Sequence, residues 1–188
     1  MENRKIIAII GMAASGKTTI VNKLLGDHNW PKVYFGAITF EEIERRGLEI
    51  TQTNEKIVRE SLRKKFGNDH YAKKVIEKIH SIEKTTPVVL VESLYSWTEY
   101  KEFKKEFGNN FITVLVYAPP RVRHERIKNR KDRSLSEKEA WARDCAELEG
   151  VDKGGPIAMA DFFIDNTRCS LEELYEKTDK IIPEILSV

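Results

Sequence analysis

Residues 11–18 read GMAASGKT and place two glycines, a lysine and a threonine at the spacing G-x-x-x-x-G-K-T. Gly11 permits a tight turn, and Gly16 lets the backbone approach an anion closely. Successive backbone N–H groups from Ala13 to Thr18 can then donate to phosphate oxygens at the start of a helix. The spacing therefore predicts a loop that binds the phosphates of a nucleotide.

The context of this loop supports the prediction, because the apolar run KIIAII precedes it and the helix-like segment TIVNKLL follows it. Lys17 would reach the terminal phosphates, and the Thr18 hydroxyl would ligate Mg²⁺. We therefore expect ATP and Mg²⁺ as the bound groups. The predicted nucleotide-binding residues are Gly11, Ala13, Ala14, Ser15, Gly16, Lys17, Thr18 and Thr19.

Short apolar runs separated by amphipathic segments predict the fold. The predicted strands are residues 5–10, 87–91, 111–117 and 161–165, with a weaker fifth at 32–36. Nearly continuous apolar runs rich in β-branched residues are typical of parallel strands that are covered on both faces. The predicted helices are residues 18–25, 54–66, 69–83 and 171–185. This alternation predicts an α/β fold with three layers, α/β/α, around a five-stranded parallel sheet.

Three capping sequences predict further helix starts. Thr39, Ser136 and Ser170 are each followed three residues later by a glutamate. In such a pair the hydroxyl accepts from a backbone N–H of the first turn, and the carboxylate accepts from the N–H of the capping residue. We therefore expect a helix to begin at each of the three positions.

Composition limits the class of protein. The chain has 188 residues, 33% of them charged, and a net charge of +2, which indicates a soluble globular domain and argues against nucleic acid as the partner. Cys145 and Cys169 form no C-x-x-C pair, so a disulfide framework and a zinc site are not expected. No apolar run reaches the roughly 20 residues of a membrane span. MENRKIIAII is too short for a signal peptide, and we expect a cytoplasmic protein.

A basic segment follows the run at 111–117. In YAPPRVRHERIKNR, Arg126 and Arg130 are four residues apart, so on a helix they would share a face. Phosphoryl transfer is catalysed mainly by positioning and by cations, and a planar guanidinium suits both phosphate binding and stacking. The segment therefore favours a kinase. A GTPase is not favoured, because no N-K-x-D segment is present.

The chain resembles the nucleoside-monophosphate-kinase-like branch of the P-loop kinases, which includes adenylate kinases and dephospho-CoA kinases. It is most similar to small microbial members without a known substrate. The resemblance spans nearly the whole chain and implies one domain over residues 1–188, with a helical insertion on the acceptor side near 37–84 and a lid near 121–150. It rests on GMAASGKT, FGAITFEEIERRG (35–47), LVESLY (90–95), HERIKNR (124–130) and ADFFIDN (160–166).

The resemblance also implies roles for individual residues. Arg126 would stack on the adenine of ATP, and Arg130, Arg133 and Arg143 would contact the transferring phosphoryl group. The sequence itself places Glu92 directly after VVLV, at the carboxyl edge where ligands bind in open α/β sheets. Its carboxylate would hold Mg²⁺ through water or orient a nucleophile.

The acceptor half departs from the family pattern. Relatives usually carry G-D-x-x-R-like and D-G-x-x-R-like segments whose arginines bind the phosphate of the acceptor. Here the two segments read GAITF at 36–40 and ESLY at 92–95, so Phe40 and Tyr95 stand where the arginines would be. Aromatic rings could stack on a base. The candidate acceptor-binding residues are Gly36, Phe40, Arg59, Arg63 and Tyr95.

Three functions are compatible with these patterns. The favoured one is a kinase that transfers the γ-phosphoryl group of MgATP to a small nucleotide-like acceptor, such as a nucleoside monophosphate or dephospho-CoA. The second is a regulatory nucleotide-binding protein with a kinase fold and no turnover, which the altered acceptor segments suggest. The third is a polynucleotide or RNA-end kinase that would use the basic stretch at 121–133.

Overall fold

Residues 4–131 and 134–188, which the computed structural model describes, form a parallel β-sheet with helices on both faces. The strands are β1 Lys5–Ile10, β2 Lys32–Tyr34, β3 Val88–Glu92, β4 Phe111–Tyr117 and β5 Phe162–Asp165. They lie in the order β2-β3-β1-β4-β5, and each neighbouring pair is parallel. The predicted α/β/α fold around a five-stranded parallel sheet is confirmed.

The helices cover the two faces of the sheet and its carboxyl edge. They are α1 Lys17–His28, α2 Gly36–Arg45, α3 Gln52–Phe66, α4 His70–Ser81, α5 Trp97–Phe107, α6 Pro120–Lys128, α7 Glu137–Val151, α8 Gly154–Ala158 and α9 Leu171–Ser187. A 3₁₀ turn, Gly108–Asn110, precedes β4. Within the described ranges, no helix combines the length and the apolar character needed to cross a membrane.

The central strand β1 contributes to both halves of the core because successive side chains of a strand point to opposite faces. Ile6, Ala8 and Ile10 pack with helices α2 to α5. Ile7 and Ile9 pack with helices α1 and α9 on the other face. This double burial explains why the run KIIAII is continuously apolar rather than alternating.

Two of the three predicted capping boxes are confirmed, at Ser136 and at Ser170. The prediction at Thr39 is wrong, because α2 begins at Gly36 and Thr39 lies inside it. The buried Thr39 hydroxyl lies 2.8 Å from the Tyr71 hydroxyl instead, so a contact with α4 replaces the cap. A further capping box starts α5 at Ser96, and its S-x-x-E signal, SWTE, is present in the sequence.

Phe103 is expected to be a major contributor to stability. It is 0% exposed, and its ring centroid lies 5.6 Å from that of Phe35 and 5.3 Å from that of Phe111. Phe103→Ala should lower the free energy of unfolding by about 3–5 kcal/mol, because it removes a buried ring and leaves a cavity. Urea denaturation measures the effect. Phe163→Ala, at a position 56% exposed, is the control and should cost less than about 1 kcal/mol; equal losses would contradict this account of the core.

Candidate nucleotide-binding site

The loop between β1 and α1 has a backbone that requires its glycines. Gly11 has φ 139° and Gly16 has φ 108°, both in the region that side chains rarely adopt. A Cβ atom on Gly11 would lie 2.3 Å from the carbonyl oxygen of Val116, and one on Gly16 would lie 2.3 Å from Nδ2 of Asn166. The backbone of the loop is therefore in close contact with the end of β4 and with the residue that follows β5. Ala14 also has a positive φ, 61°, so the chain bends again between the two glycines.

One side-chain hydroxyl of this loop lacks the partner that a buried polar group normally has, and its lysine is buried without an adjacent counter-ion in the ranges described. Oγ of Ser15 is buried and makes no hydrogen bond within the described part of the chain. The Lys17 ammonium donates to the carbonyl oxygen of Met12 at 2.9 Å. Burial, followed by the positive charge of Lys153, lowers the pKa of Lys17 to about 7. A bound phosphate would supply both the missing acceptor and the missing negative charge, so the loop fits a phosphate ligand.

Oxygen ligands suited to magnesium meet beside the loop. Thr18 Oγ1 donates to Glu92 Oε1 at 2.9 Å, and Lys32 Nζ lies 3.0 Å from Glu92 Oε2. The parallel register places Glu92 opposite Ile9, at the edge where β1 leads into the loop. Hydroxyl and carboxylate oxygens are the donors that Mg²⁺ prefers, so the two predicted residues fit the ion. Lys32 was not predicted, because it precedes Glu92 by 60 residues.

Arg126 connects helix α6 to the loop through Asn166. Its Nη2 donates to the carbonyl oxygen of Asn166 at 2.8 Å, and Asn166 Nδ2 donates to the carbonyl oxygen of Ser15 at 2.8 Å. Nη1 of Arg126 is buried and has no hydrogen-bond partner among the residues described. Arg126 is therefore linked to the phosphate loop through Asn166, and its predicted stacking on adenine stays a prediction. The role of Asn166 was missed, although ADFFIDN was recognised as a family-like segment.

A buried ion pair holds helices α6 and α7 together above the loop. Arg123 donates to both carboxylate oxygens of Asp144, at 2.9 and 2.8 Å, and to the carbonyl oxygen of Ala13 at 3.3 Å. Nε2 of His124 lies 2.9 Å from the same carboxylate. Burial alone would raise the pKa of Asp144, but Arg123 and His124 hold it below its usual value. Arg123 was not predicted, because a lone arginine in a basic segment carries no signal of burial.

Arg143 lies one turn before Glu147 on α7, and the two are paired. The distance from Arg143 Nε to Glu147 Oε1 is 3.2 Å, and Lys153 Nζ lies 2.5 Å from Glu147 Oε2. Burial alone would raise the pKa of Glu147, but Lys153, Arg143 and Lys17 lower it. Glu147 is therefore paired with both Arg143 and Lys153.

The predicted pairing of Arg126 with Arg130 on one helix face is wrong. Helix α6 ends at Lys128, and Arg130 follows its cap at Asn129. Asn129 and the residues after it leave the helix, so the spacing of four no longer aligns the two side chains. Burial and the charge of Arg143 lower the pKa of Arg130. Arg133 lies outside the described residues.

On the acceptor side, a buried carboxylate gathers two of the predicted residues. Glu99 is 1% exposed and accepts from the backbone N–H groups of Tyr95 and Ser96 at 2.8 and 2.9 Å. Nη2 of Arg63 lies 3.3 Å from its other oxygen, and the Arg63 guanidinium lies over the Tyr71 ring at 5.1 Å. The side chain of Arg63 and the backbone of Tyr95 therefore share one carboxylate.

The remaining predicted acceptor residues make local contacts. Nη1 of Arg59 lies 3.4 Å from Glu55 Oε2 in the preceding turn of α3. Phe40 packs partly against the core, with its ring 6.2 Å from that of Tyr34. A Cβ on Gly36 would lie 2.3 Å from the Tyr34 ring, so this glycine allows a close approach. Their roles toward an acceptor stay predictions.

Comparisons of the sequence place the chain among known proteins. The profile of a family described as "AAA domain" matches residues 10–141. A UPF0200 protein of Thermococcus kodakarensis is 37% identical over 186 residues, which are 97% of this chain and 98% of that protein. A UPF0200/UPF0201 protein of Archaeoglobus fulgidus is 38% identical over 95% of this chain, which spans only 55% of that longer protein.

Solved structures show the same fold. A gluconokinase from Sinorhizobium meliloti is 14% identical, with a TM-score of 0.64 over 100% of this chain and 96% of that one. A dephospho-CoA kinase from Campylobacter jejuni is 19% identical, with a TM-score of 0.59 over 97% of each chain. The architecture is therefore that of the P-loop kinases, as the sequence resemblance implied.

The ion pair of Arg123 and Asp144 should be essential for stability. Asp144→Ala should lower the free energy of unfolding by about 3–5 kcal/mol, because it leaves a buried guanidinium without its counter-ion. Urea denaturation of the variant, beside Glu149→Ala on the exposed part of the same helix, tests this. Losses of similar size in the two variants would show that the pair does not hold α6 and α7 in place.

Proposed function

We propose that this chain, which belongs to the UPF0200 family and carries an AAA domain, is a kinase that transfers the γ-phosphoryl group of MgATP to a small acceptor. One observation carries the proposal: a phosphate loop with an unsatisfied hydroxyl lies beside two oxygens of a kind that Mg²⁺ prefers and beside a partly unpaired arginine, at one edge of the sheet. Phosphoryl transfer depends on cations and on metal-binding oxygens that are positioned around the phosphates. The acceptor is a nucleotide or a nucleotide-like molecule, such as a nucleoside monophosphate or dephospho-CoA.

The donor half is supported by the loop and its neighbours. The N–H groups from Ala13 to Thr18 would bind the phosphate oxygens, and Lys17 would contact the terminal phosphates. Thr18 and Glu92, 2.9 Å apart, would hold Mg²⁺ directly or through water. When bound, the ion neutralises charge on the phosphates. Arg126, whose Nη1 is buried without a partner, would lie against the nucleotide.

In the proposed reaction an oxygen of the acceptor attacks the γ-phosphorus, the bond to the bridging oxygen breaks, and ADP leaves. A phosphate acceptor attacks through an ionised oxygen, so that no proton has to be removed. A hydroxyl acceptor also gives up its proton, to solvent or to a carboxylate of the site such as Glu92. The rate then depends on orientation and on cations near the transferring group. Arg143, held by Glu147, and Arg130 would provide part of this charge. Arg133 is proposed for the same role from the sequence alone.

The acceptor half is supported by its chemistry. Tyr95 offers a ring that could stack on a base, and Arg63 lies on the same buried carboxylate. Tyr95 follows β3, which ends at the carboxyl edge of the sheet, where the phosphate loop lies, and Arg63 reaches Glu99 from within α3. Arg59, Phe40 and Gly36 are proposed to line the rest of this side. The C. jejuni neighbour is a dephospho-CoA kinase, which agrees with an acceptor of nucleotide type.

A panel of acceptors tests the proposal directly. Incubation with MgATP and a nucleoside monophosphate, a nucleoside or dephospho-CoA should release ADP faster with at least one acceptor than without any. Lys17→Met should abolish this release, because the loop loses its phosphate-binding cation, whereas Lys138→Met on the exposed side of α7 should not. Steady phosphate release that ignores every acceptor would contradict a kinase.

A specific observation favours a second candidate, a regulatory nucleotide-binding protein without turnover. Arg59 and Arg63 are both already paired with carboxylates, at 3.4 and 3.3 Å, which reduces their charge toward an acceptor phosphate. ATP binding without ADP release in any arm of the panel would support this candidate. The polynucleotide kinase is less favoured, because Arg123 and His124 of the basic stretch are buried on Asp144.

Glu92 should couple nucleotide binding to magnesium. Glu92→Gln should weaken ATP affinity roughly tenfold when Mg²⁺ is present, about the free energy of one charge-assisted contact. With EDTA in place of Mg²⁺, the variant and the parent protein should bind ATP alike. Isothermal titration calorimetry in both buffers measures this effect. Glu184→Gln, at an exposed position of α9, is the control. An equal loss with and without Mg²⁺ would argue against Glu92 as a metal-binding residue.

A further inference from the structure

The carboxylate of Glu92 is already paired with a cation of the chain. The Glu92 side chain is 8% exposed, and Nζ of Lys32 lies 3.0 Å from its Oε2. The other oxygen, Oε1, accepts from the Thr18 hydroxyl at 2.9 Å. A buried carboxylate is costly without a compensating positive charge, and Lys32 supplies that charge. The ammonium of Lys32 therefore lies on the carboxylate that would hold Mg²⁺.

The sheet brings Lys32 to Glu92 from a fixed direction. In the parallel pairing of β2 with β3, Tyr34 lies opposite Glu92, and Lys32 lies two residues before Tyr34. Because successive side chains of a strand alternate between the faces, Lys32 and Glu92 are on the same face of the sheet. The offset of two residues is a rise of about 6.6 Å, which a lysine side chain can span. The ammonium thus reaches the carboxylate from β2, whereas Thr18 reaches it from α1.

An ammonium group and a Mg²⁺ ion compete at such a carboxylate. One carboxylate carries a single negative charge, and two cations held against it repel each other. Lysine is a point charge on a flexible stem, and the Lys32 side chain is 30% exposed, so its ammonium can move into solvent. Mg²⁺ gives up its water reluctantly and is usually bound by one or two carboxylates together with substrate phosphates. A free ion therefore gains little at Glu92, whereas an ion that arrives with a nucleotide also has phosphate ligands.

We propose that Lys32 is the resident counter-ion of Glu92 and competes with Mg²⁺ for it, so that the ion binds together with a nucleotide rather than alone. The negative charge of the phosphates compensates for the displaced ammonium. Lys32 acts through Glu92 and is a positioning residue. The inference rests on the metal site of the proposed function but not on turnover.

The test measures the affinity of the nucleotide-free protein for Mg²⁺, from the rise of the midpoint of thermal unfolding with Mg²⁺ concentration at constant ionic strength. Lys32→Met should bind the ion roughly tenfold more tightly, because one competing charge is removed. Lys32→Arg retains the charge and should keep the affinity of the parent protein. Lys73→Met removes another lysine–carboxylate pair, with Asp69 at 2.6 Å, and is the matched control, in which the affinity for Mg²⁺ should not change.

A variant of Glu92 separates an effect at this carboxylate from a general effect of charge. Adding Lys32→Met to Glu92→Gln should bring no gain in Mg²⁺ affinity, because the carboxylate for which the two cations compete is absent. Unchanged or weaker Mg²⁺ binding by Lys32→Met would overturn the proposal. A tenfold gain that persists in the double variant would overturn it as well, since Lys32 would then not act through Glu92.

A measurement on the unaltered protein covers the case in which Lys32→Met does not fold. With ADP and Mg²⁺, the ¹⁵Nζ resonance of Lys32 should move toward that of a solvated lysine, because the ammonium has left Glu92. With ADP and EDTA, the resonance should stay near its position in the free protein. A shift of equal size in both buffers, or no shift in either, would contradict the displacement.

The failure of this inference can be distinguished from the failure of the proposed function. If no acceptor stimulates ADP release but Lys32→Met binds Mg²⁺ more tightly, the kinase activity is wrong and the competition at Glu92 stands. If an acceptor does stimulate release but Lys32→Met and the parent protein bind Mg²⁺ alike, the kinase stands and the role of Lys32 is wrong.

Discussion

The buried ion pair of Arg123 and Asp144 is the interaction on which the arrangement of the site depends. Arg123 is on α6, Asp144 is on α7, and the same guanidinium also donates to the carbonyl oxygen of Ala13 in the phosphate loop. One side chain thus fixes the two helices above the loop relative to each other and to the loop. A small apolar cluster of Ala13, Ile127 and Ala140 packs the same three elements together. The ion pair and this cluster together position the side chains that α6 and α7 contribute to the site.

The junction also explains why the cations of the site lie so close together. Helix α6 carries Arg126, while α7 carries Arg143 and ends in the turn that fixes Lys153. Burial and the positive charges of Lys153 and Arg143 lower the pKa of Lys17. A bound polyanion would relieve this repulsion. The electrostatics and the backbone of the loop therefore favour the same class of ligand.

The acceptor side is organised by the buried carboxylate of Glu99. This carboxylate caps α5 at Ser96, accepts a hydrogen bond from the backbone N–H of Tyr95 and pairs with Arg63. This network is satisfied before any ligand binds, whereas the donor side contains buried groups without partners. The contrast explains why the geometry supports a nucleotide donor more strongly than it supports any one acceptor.

Local sequence determined the elements and the phosphate loop. The spacing of GMAASGKT specifies a backbone that only glycine can adopt at Gly11 and Gly16, and continuous apolar runs specify strands that are covered on both faces. Capping pairs were correct at Ser136 and Ser170 because both partners lie within one helical turn. The same pattern failed at Thr39, where contact with Tyr71 on another helix decided the outcome.

Only the tertiary structure decided which distant charges meet. Arg123 reaches the loop across 110 residues, Asn166 across 151, and Lys32 reaches Glu92 across 60. In the sequence Lys153 is an ordinary residue of a glycine-rich turn, but in the structure its ammonium lies over the Tyr95 ring. No periodicity records such contacts, because burial and charge balance are set by the packing of several elements. The sequence therefore determined the form of the phosphate loop, and the packing of α6 and α7 decided which side chains lie beside it.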